Sequence, residues 1–240
     1  MTFPPCIKLE LETPAEVSVH LVQIGNQGGA MTHRRSALAT LSTAERERAE
    51  RFVRPGIRGR YIYTRATLRR LLAERLNTKP ELLAFEQTPQ GRPFLSASNQ
   101  QHPLDFNVSH SGDLALIAIG SDQHRIGVDI EQQKEMRDLD QLAARVLTAG
   151  ELATLNQYDD QDPKSDEAKL AQFFRYWTCK EAYLKALGTG LQIDMKRIEA
   201  QLTEPNGFKY LKLPGRAPQT TLGFTPAPNH QAALVLLGSE

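Results

Sequence analysis

The sequence predicts an α+β fold with antiparallel sheets, and three observations carry the prediction. Helix-like and strand-like segments occur in both halves of the 240 residues. Strand-like runs are joined mostly by tight turns, as where Ser111-Gly112-Asp113 links Asp105–Ser109 to Leu114–Gly120. The order helices-then-strands recurs loosely in each half, without an internal sequence repeat. A hydrophobic content of 40% supplies a core and excludes a disordered chain.

The elements follow in order. Glu16–Ile24 (EVSVHLVQI) alternates apolar and polar residues, a strand pattern. Gly25–Gly29 reads as a loop. Ser42 has the chemistry of a helix N-cap, and Glu45, three residues on, closes a capping box. That helix is expected to run to about Val53 and to break at Pro55-Gly56. A second helix is expected from about Arg58 to Leu76, because Ile62, Ala66, Leu68, Leu71, Leu72 and Leu76 have helical spacing. Pro89–Pro93 is a turn, followed by the hairpin named above. The second half opens with a strand over Arg125–Glu131, then helices near Asp138–Val146 and Ala149–Leu155. Tyr158–Glu167 is rich in acids and reads as an exposed loop. A long helix from about Lys169 to Leu187 stops at Gly188, a C-cap glycine. Short strands are expected near Ile198–Leu202, Phe208–Leu213, Thr220–Phe224 and Gln231–Leu237.

Composition removes several function classes. The longest apolar runs, such as Leu114–Ile119 and Ala232–Leu237, fall far short of the roughly 20 residues a membrane span needs. The first residues lack the basic and apolar regions of a secretion leader. Two distant cysteines, Cys6 and Cys179, exclude a disulfide framework and a cysteine zinc site. A cytoplasmic protein that engages no membrane is the expectation. The net charge of +1 hides an asymmetry: residues 1–120 hold 15 Lys+Arg against 11 Asp+Glu, and residues 121–240 hold 14 against 17. Ten arginines and no lysine lie between Arg46 and Arg75. Such a block suits a phosphate-bearing or acidic partner, or is simply a solvated helical face. A pI near 7.8 and the absence of interleaved aromatics argue against nucleic-acid binding.

Two segments can carry chemistry. In Ile126-Gly127-Val128-Asp129-Ile130-Glu131, strand alternation puts Asp129 and Glu131 on one face and Val128 and Ile130 on the core face. Paired carboxylates repel unless a hard cation sits between them, though a solvated strand face would tolerate them too. In the helix Phe173–Lys185, Leu170, Phe173, Phe174, Trp177, Leu184 and Leu187 form an apolar arc. Lys180 and Glu181 fall inside that arc and Lys185 lies just beyond it. Charges there are costly unless they pair with each other or bind a ligand. A third segment, Phe106–Ser111 (FNVSHS), invites a nucleophile reading, but Ser109 and His110 point to opposite faces of a strand. Neither a G-x-S-x-G elbow nor a P-loop occurs.

Taken together and in this order, G-R-P at Gly91–Pro93, F-N-V-S-H-S, I-G-V-D-I-E and F-F-x-x-W-T-x-K-E-A-x-x-K resemble the 4′-phosphopantetheinyl transferases of the surfactin-synthetase (Sfp) type. The resemblance runs from about Leu41 to Leu191. It implies two similar halves packed as a pseudo-dimer within one monomer, here residues 1–122 and 123–240, with the site between them. It implies transfer of the phosphopantetheine arm of coenzyme A to a serine of an acyl or peptidyl carrier protein, with Mg²⁺ as cofactor. By position, Asp129, Glu131 and Glu181 become the metal ligands, and Lys180 and Lys185 the lysines near the phosphates. Ser109, His110 and Arg92 become nucleotide contacts, and Arg48 and Arg60 contacts of the 3′-phosphate. Glu151 matches a glutamate proposed to polarise the attacking serine, so Glu151, Glu181 and Lys185 are the catalytic candidates. Glu45 departs from the pattern, where the best-known members have lysine. Carrier docking is expected on the helices between Asp138 and Leu155, near Arg137 and Arg145, and away from Asp159, Asp160 and Asp162. Two alternatives stay open: another Mg²⁺-dependent enzyme acting on coenzyme A or a nucleotide, and a non-catalytic carrier-binding module.

Overall fold

The computed structural model describes residues 5–24, 31–96, 103–158, 163–202, 208–212 and 219–238. Strands β1 (Cys6–Leu9) and β2 (Ser18–Gln23) lead into helices α1 (Met31–Thr40), α2 (Thr43–Glu50) and α3 (Pro55–Arg75). A small hairpin of β3 (Phe85–Gln87) and β4 (Pro93–Leu95) precedes the long hairpin β5 (Leu104–Ser111) and β6 (Leu114–Ser121). Then come β7 (His124–Gln132), α4 (Leu139–Val146), α5 (Ala149–Leu155) and α6 (Pro163–Leu187). The chain closes with β8 (Glu199–Gln201), β9 (Phe208–Lys212), β10 (Gln219–Phe224) and β11 (His230–Gly238).

Besides the two-stranded β3–β4 sheet, the described residues form two larger antiparallel sheets, in the orders β1-β2-β6-β5 and β7-β11-β10-β9-β8. Both faces of the central strands are buried, which is why they read as continuous apolar runs. On β6, Ala115, Ile117 and Ile119 face α3 residues such as Ile62 and Leu72. Its alternate residues Leu116 and Ala118 face the other sheet, where Ile126, Val128 and Ile130 of β7 meet them. On β11, Ala233 and Val235 face Phe173 and Tyr183 of α6. The layers are therefore helices, sheet, sheet, helices, and the α+β class with antiparallel sheets is what the chain forms. None of the helices among the described residues is long and apolar enough to cross a membrane. Cys6 and Cys179 form no disulfide.

Several boundaries differ from the sequence reading, each for a local reason. Pro55 begins α3 rather than ending the previous helix, because a proline at the first helical position loses no hydrogen bond. Pro163 likewise opens α6, so the second part of the Tyr158–Glu167 segment is helical rather than loop. Asp159, Asp160 and Asp162 lie outside the described residues, as does Gly25–Gly29. Helix α1 has little amphipathic contrast and gives no periodic signal, and β1, β3 and β4 are too short to show one. The capping box at Ser42 forms as read: Glu45 N–H donates to Ser42 Oγ at 3.3 Å and Ser42 N–H to Glu45 Oε2 at 2.8 Å.

The sheets meet where β5 and β7 run alongside in the same direction. They are joined by side chains that reach from β5 to the backbone of β7. Asp105 Oδ2 accepts from Ile126 N–H at 2.6 Å, Asn107 Oδ1 from Val128 N–H at 3.0 Å, and Ser111 Oγ from Gln132 N–H at 3.0 Å. Every second residue of β5 points this way because strand side chains alternate. Each such bond contributes about 0.5–1.5 kcal/mol net, and without it a buried edge donor would be left unpaired. Ser109, at the intervening position, instead donates its hydroxyl to the Asp129 carboxylate at 2.8 Å.

Candidate active site at the junction of the two sheets

Helix α6 crosses β7 at Gly127. A Cβ on Gly127 would stand 1.8 Å from the Ala182 carbonyl oxygen and 2.6 Å from the Ala186 nitrogen. Only glycine lets the two backbones approach this closely. The crossing lays the α6 face formed by Trp177, Glu181 and Lys185, spaced i, i+4, i+8, over the carboxylates of β7. Lys185 Nζ donates to Asp129 Oδ1 at 2.6 Å, to Ser109 Oγ at 2.9 Å and to the Val128 carbonyl at 3.3 Å. Ser111 Oγ donates to Glu131 Oε2 at 2.7 Å, and the Trp177 indole N–H favours the charged form of the same group.

Burial raises the Asp129 carboxyl above its ordinary value, against the pull of Lys185 and Ser109. Glu131 is raised by burial and by Asp129. Glu181 is raised by burial, then by Asp129 and Glu131, with Lys185 opposing. Glu181 thus feels both strand acids, which the strand alternation and the helix projection did not by themselves require. Among the described residues, however, no three acidic, histidine or cysteine side chains are gathered closely enough to hold a metal. The Lys185 ammonium stands beside Asp129 Oδ1 at 2.6 Å. Asp129 Oδ2 is buried and has no hydrogen-bond partner. An orphaned carboxylate oxygen flanked by two destabilised acids is a donor set that a hard divalent cation fits.

Beside these groups lies a cleft of about 290 Å³ between the β3–β4 turn, β5 and α6, lined by Arg92, Asn107, Val108, Glu181, Leu184 and Lys185. A larger depression of about 770 Å³ between the starts of α4 and α6 contains none of the three acids. Chemistry rather than size therefore places the candidate site at the smaller cleft.

Two expected site residues are not brought there. Lys180 and Glu151, expected near the phosphates and the attacking serine, lie on the opposite side of α6. Lys180 is 0% exposed and Glu151 4%, and their side chains pair at 2.5 Å. Burial lowers the Lys180 ammonium, and Glu151 pulls it back up. Arg92 does reach the junction, but its guanidinium is largely engaged: it donates to Asp105 at 2.6 Å, to the Ile126 carbonyl at 2.8 Å and to the Lys185 carbonyl.

His110, next to last in β5, is exposed. Partial desolvation lowers its imidazole below the ordinary value, and the charges of Arg60 and Lys185 add to that effect. Arg48 is exposed, its guanidinium 5.4 Å from the centroid of the Tyr61 ring. Glu45 has a physical role in place of a lysine. It is buried and pairs with Arg65 at 2.5 Å and Arg69 at 2.7 Å. Burial works against its charge, but the two arginines outweigh it and hold its pKa below the ordinary value. Two of the ten arginines are thereby engaged within the fold, with one unit of their charge offset.

The residues that sequence reasoning missed here are Gly127, Asn107 and Ser111. The polar alternation Asp105, Asn107, Ser109, Ser111 was the available signal for the last two.

The chain matches two family models: "4'-phosphopantetheinyl transferase, N-terminal" over residues 30–122, and "4'-phosphopantetheinyl transferase superfamily" over residues 125–234. It is 37% identical over 200 residues to the 4'-phosphopantetheinyl transferase HetI of Nostoc sp., covering 83% of this chain and 80% of that protein. It is 32% identical over 146 residues to the L-aminoadipate-semialdehyde dehydrogenase-phosphopantetheinyl transferase of Xenopus laevis, covering 58% of this chain and 46% of that one. A solved structure of the Thermotoga maritima holo-[acyl-carrier-protein] synthase aligns with a TM-score of 0.36 and 20% identity, over 48% of this chain and 63% of that one.

Proposed function

We propose, from the premise that this chain belongs to the 4′-phosphopantetheinyl transferase superfamily, that it moves the 4′-phosphopantetheine arm of coenzyme A onto a serine of an apo acyl or peptidyl carrier protein. The surfactin-synthetase type is our reading of its subtype. The observation that carries the proposal is the placement of Glu181 and Lys185, one helical turn apart, against Asp129 at the edge of an inter-sheet cleft.

In the reaction, the serine oxygen bonds to the β-phosphorus of coenzyme A. The bond from that phosphorus to the bridging oxygen breaks, and adenosine 3′,5′-bisphosphate leaves. Glu181 takes the serine proton, directly or through a water. Lys185 has a partly exposed side chain. It turns from Asp129 toward the departing phosphate, where its charge offsets the negative charge that develops. Asp129, Glu131 and Glu181 would hold Mg²⁺, which would supply further neutralisation of the pyrophosphate charge. Ser109, His110 and Arg92 line the nucleotide end. Arg48 and Arg60, left free of Glu45's pairing, take the 3′-phosphate. The carrier docks on α4 and α5 near Arg137 and Arg145, with charge acting mostly on the rate of encounter.

The experiment is mass spectrometry of purified apo-carriers after incubation with coenzyme A and Mg²⁺. One phosphopantetheine arm per carrier serine is expected. Consumption of coenzyme A without any carrier would instead favour a hydrolase reading, and no turnover at all a binding module.

A further inference from the structure

Lys180 precedes Glu181 in sequence but serves a different part of the molecule. Its ammonium donates to Glu151 Oε2 at 2.5 Å, to the Val146 carbonyl at 2.9 Å and to the Met195 carbonyl at 3.1 Å. An ammonium has three donors, so all are spent. Glu151 is equally committed. Its Oε2 also accepts from Thr148 N–H at 2.7 Å, closing the start of α5, and its Oε1 accepts from Ala200 N–H of β8 at 2.8 Å. One buried pair thus ties the end of α4, the start of α5, the turn before β8 and the turn of α6 that carries Glu181.

Stability alone does not call for this arrangement, since an apolar pair of similar volume is often as stable as a buried ion pair. What the pair adds is direction. Gly127 fixes how near α6 lies to β7 and Lys185 ties one side of the helix to Asp129; the buried pair holds a second flank against roll about the helix axis. We infer that Lys180 and Glu151 are positioning residues that set this roll, and with it the direction of Glu181. At a helix radius of about 5–6 Å, a roll of about 10° moves a side chain by about 1 Å. A displacement of that size can lower a rate by about 10²-fold.

This inference rests on the transferase reading, and wild-type activity is the control that separates the two. If the wild type modifies no carrier, that reading has failed. Given an active wild type, we would measure the Lys180→Met/Glu151→Gln double variant, which removes the buried charges together. Coenzyme A affinity is read by calorimetry and kcat by carrier modification. The expected result is a coenzyme A Kd within about twofold of wild type and a kcat at least about tenfold lower. If the double variant does not stay folded, Glu151→Gln alone is read, with the same split at smaller amplitude. A wild-type kcat in the folded variant overturns the inference. So does a coenzyme A Kd weakened about tenfold at unchanged kcat, which would make Lys180 a phosphate contact.

Discussion

Replacing Gly127 by alanine tests whether the closeness of α6 to β7 is what assembles the site. The new Cβ would stand 1.8 Å from the Ala182 carbonyl oxygen, 2.6 Å from the Ala186 nitrogen and 2.9 Å from the Ala182 carbonyl carbon. Carbon and oxygen normally approach to about 3.3 Å, so the helix must retreat by about 1.5 Å. All three atoms belong to backbone, and no side chain can turn aside to make room. Overpacking of this kind costs about 1–3 kcal/mol, which for a chain of this size lowers Tm by roughly 2–12 °C. The retreat carries Lys185 away from Asp129, to which it now donates at 2.6 Å. A gap widened by the same amount leaves hydrogen-bond range. The expected loss in kcat is about 10²-fold, or about 2.7 kcal/mol of barrier. Carrier modification followed by mass spectrometry gives the rate, and calorimetry gives Tm. Gly56→Ala is the control, because a Cβ there meets nothing within 4 Å. Wild-type rate and Tm in Gly127→Ala would refute the argument; a lowered Tm with an unchanged rate would confine the contact to folding.

Three further outcomes are expected. Asp129→Ala should lower transfer more than about tenfold, or 1.4 kcal/mol, and weaken Mg²⁺ binding measured calorimetrically; retention of over a tenth of the rate at saturating Mg²⁺ removes Asp129 from the metal site. Because Lys185 pairs with it, this change should not stabilise the metal-free protein, as carboxylate repulsion alone would have implied. Wild type should bind dephospho-coenzyme A more weakly than coenzyme A, and Arg48→Ala should shrink that preference; equal discrimination in both proteins takes Arg48 out of the 3′-phosphate pocket. Glu45 has a folded pKa below its ordinary 4.5, so its stabilisation is full above that value and is lost as pH falls through the folded one. Glu45→Gln should therefore cost about 1.5–3 kcal/mol at neutral pH, measured by denaturant unfolding. The gap should close in acid, and a gap independent of pH would contradict the pairing with Arg65 and Arg69.

What the sequence made legible follows from the range of each signal. The capping box of α2, the β5–β6 hairpin and the Gly188 stop are set by residues within a few positions of one another. Asp129 and Glu131 share a face because strand geometry demands it, and Glu181 and Lys185 share one because helix geometry does. Lys180 shows the limit. A helix projection places it in the apolar arc but does not say which neighbour meets it there, and that neighbour, Glu151, is 29 residues away. Gly127 was visible only as a glycine in a strand; the helix that needs its missing side chain lies more than fifty residues downstream. Glu45 looked anomalous beside an arginine block until Arg65 and Arg69 were seen to wrap it.

The seam between β5 and β7 has one more consequence. Had the two sheets been joined by a backbone ladder, the angle between them would follow from peptide geometry, which is common to every sequence and cannot drift. Here the angle is spelled by Asp105, Asn107 and Ser111, three codons that mutation can rewrite one at a time. Lengthening or shortening a single one of these side chains would tilt one half against the other, repacking the apolar layer between the sheets but leaving the helix-facing core of each half in place. Descendants of such a protein could widen or narrow the cleft for different guests while inheriting both helix-facing cores intact.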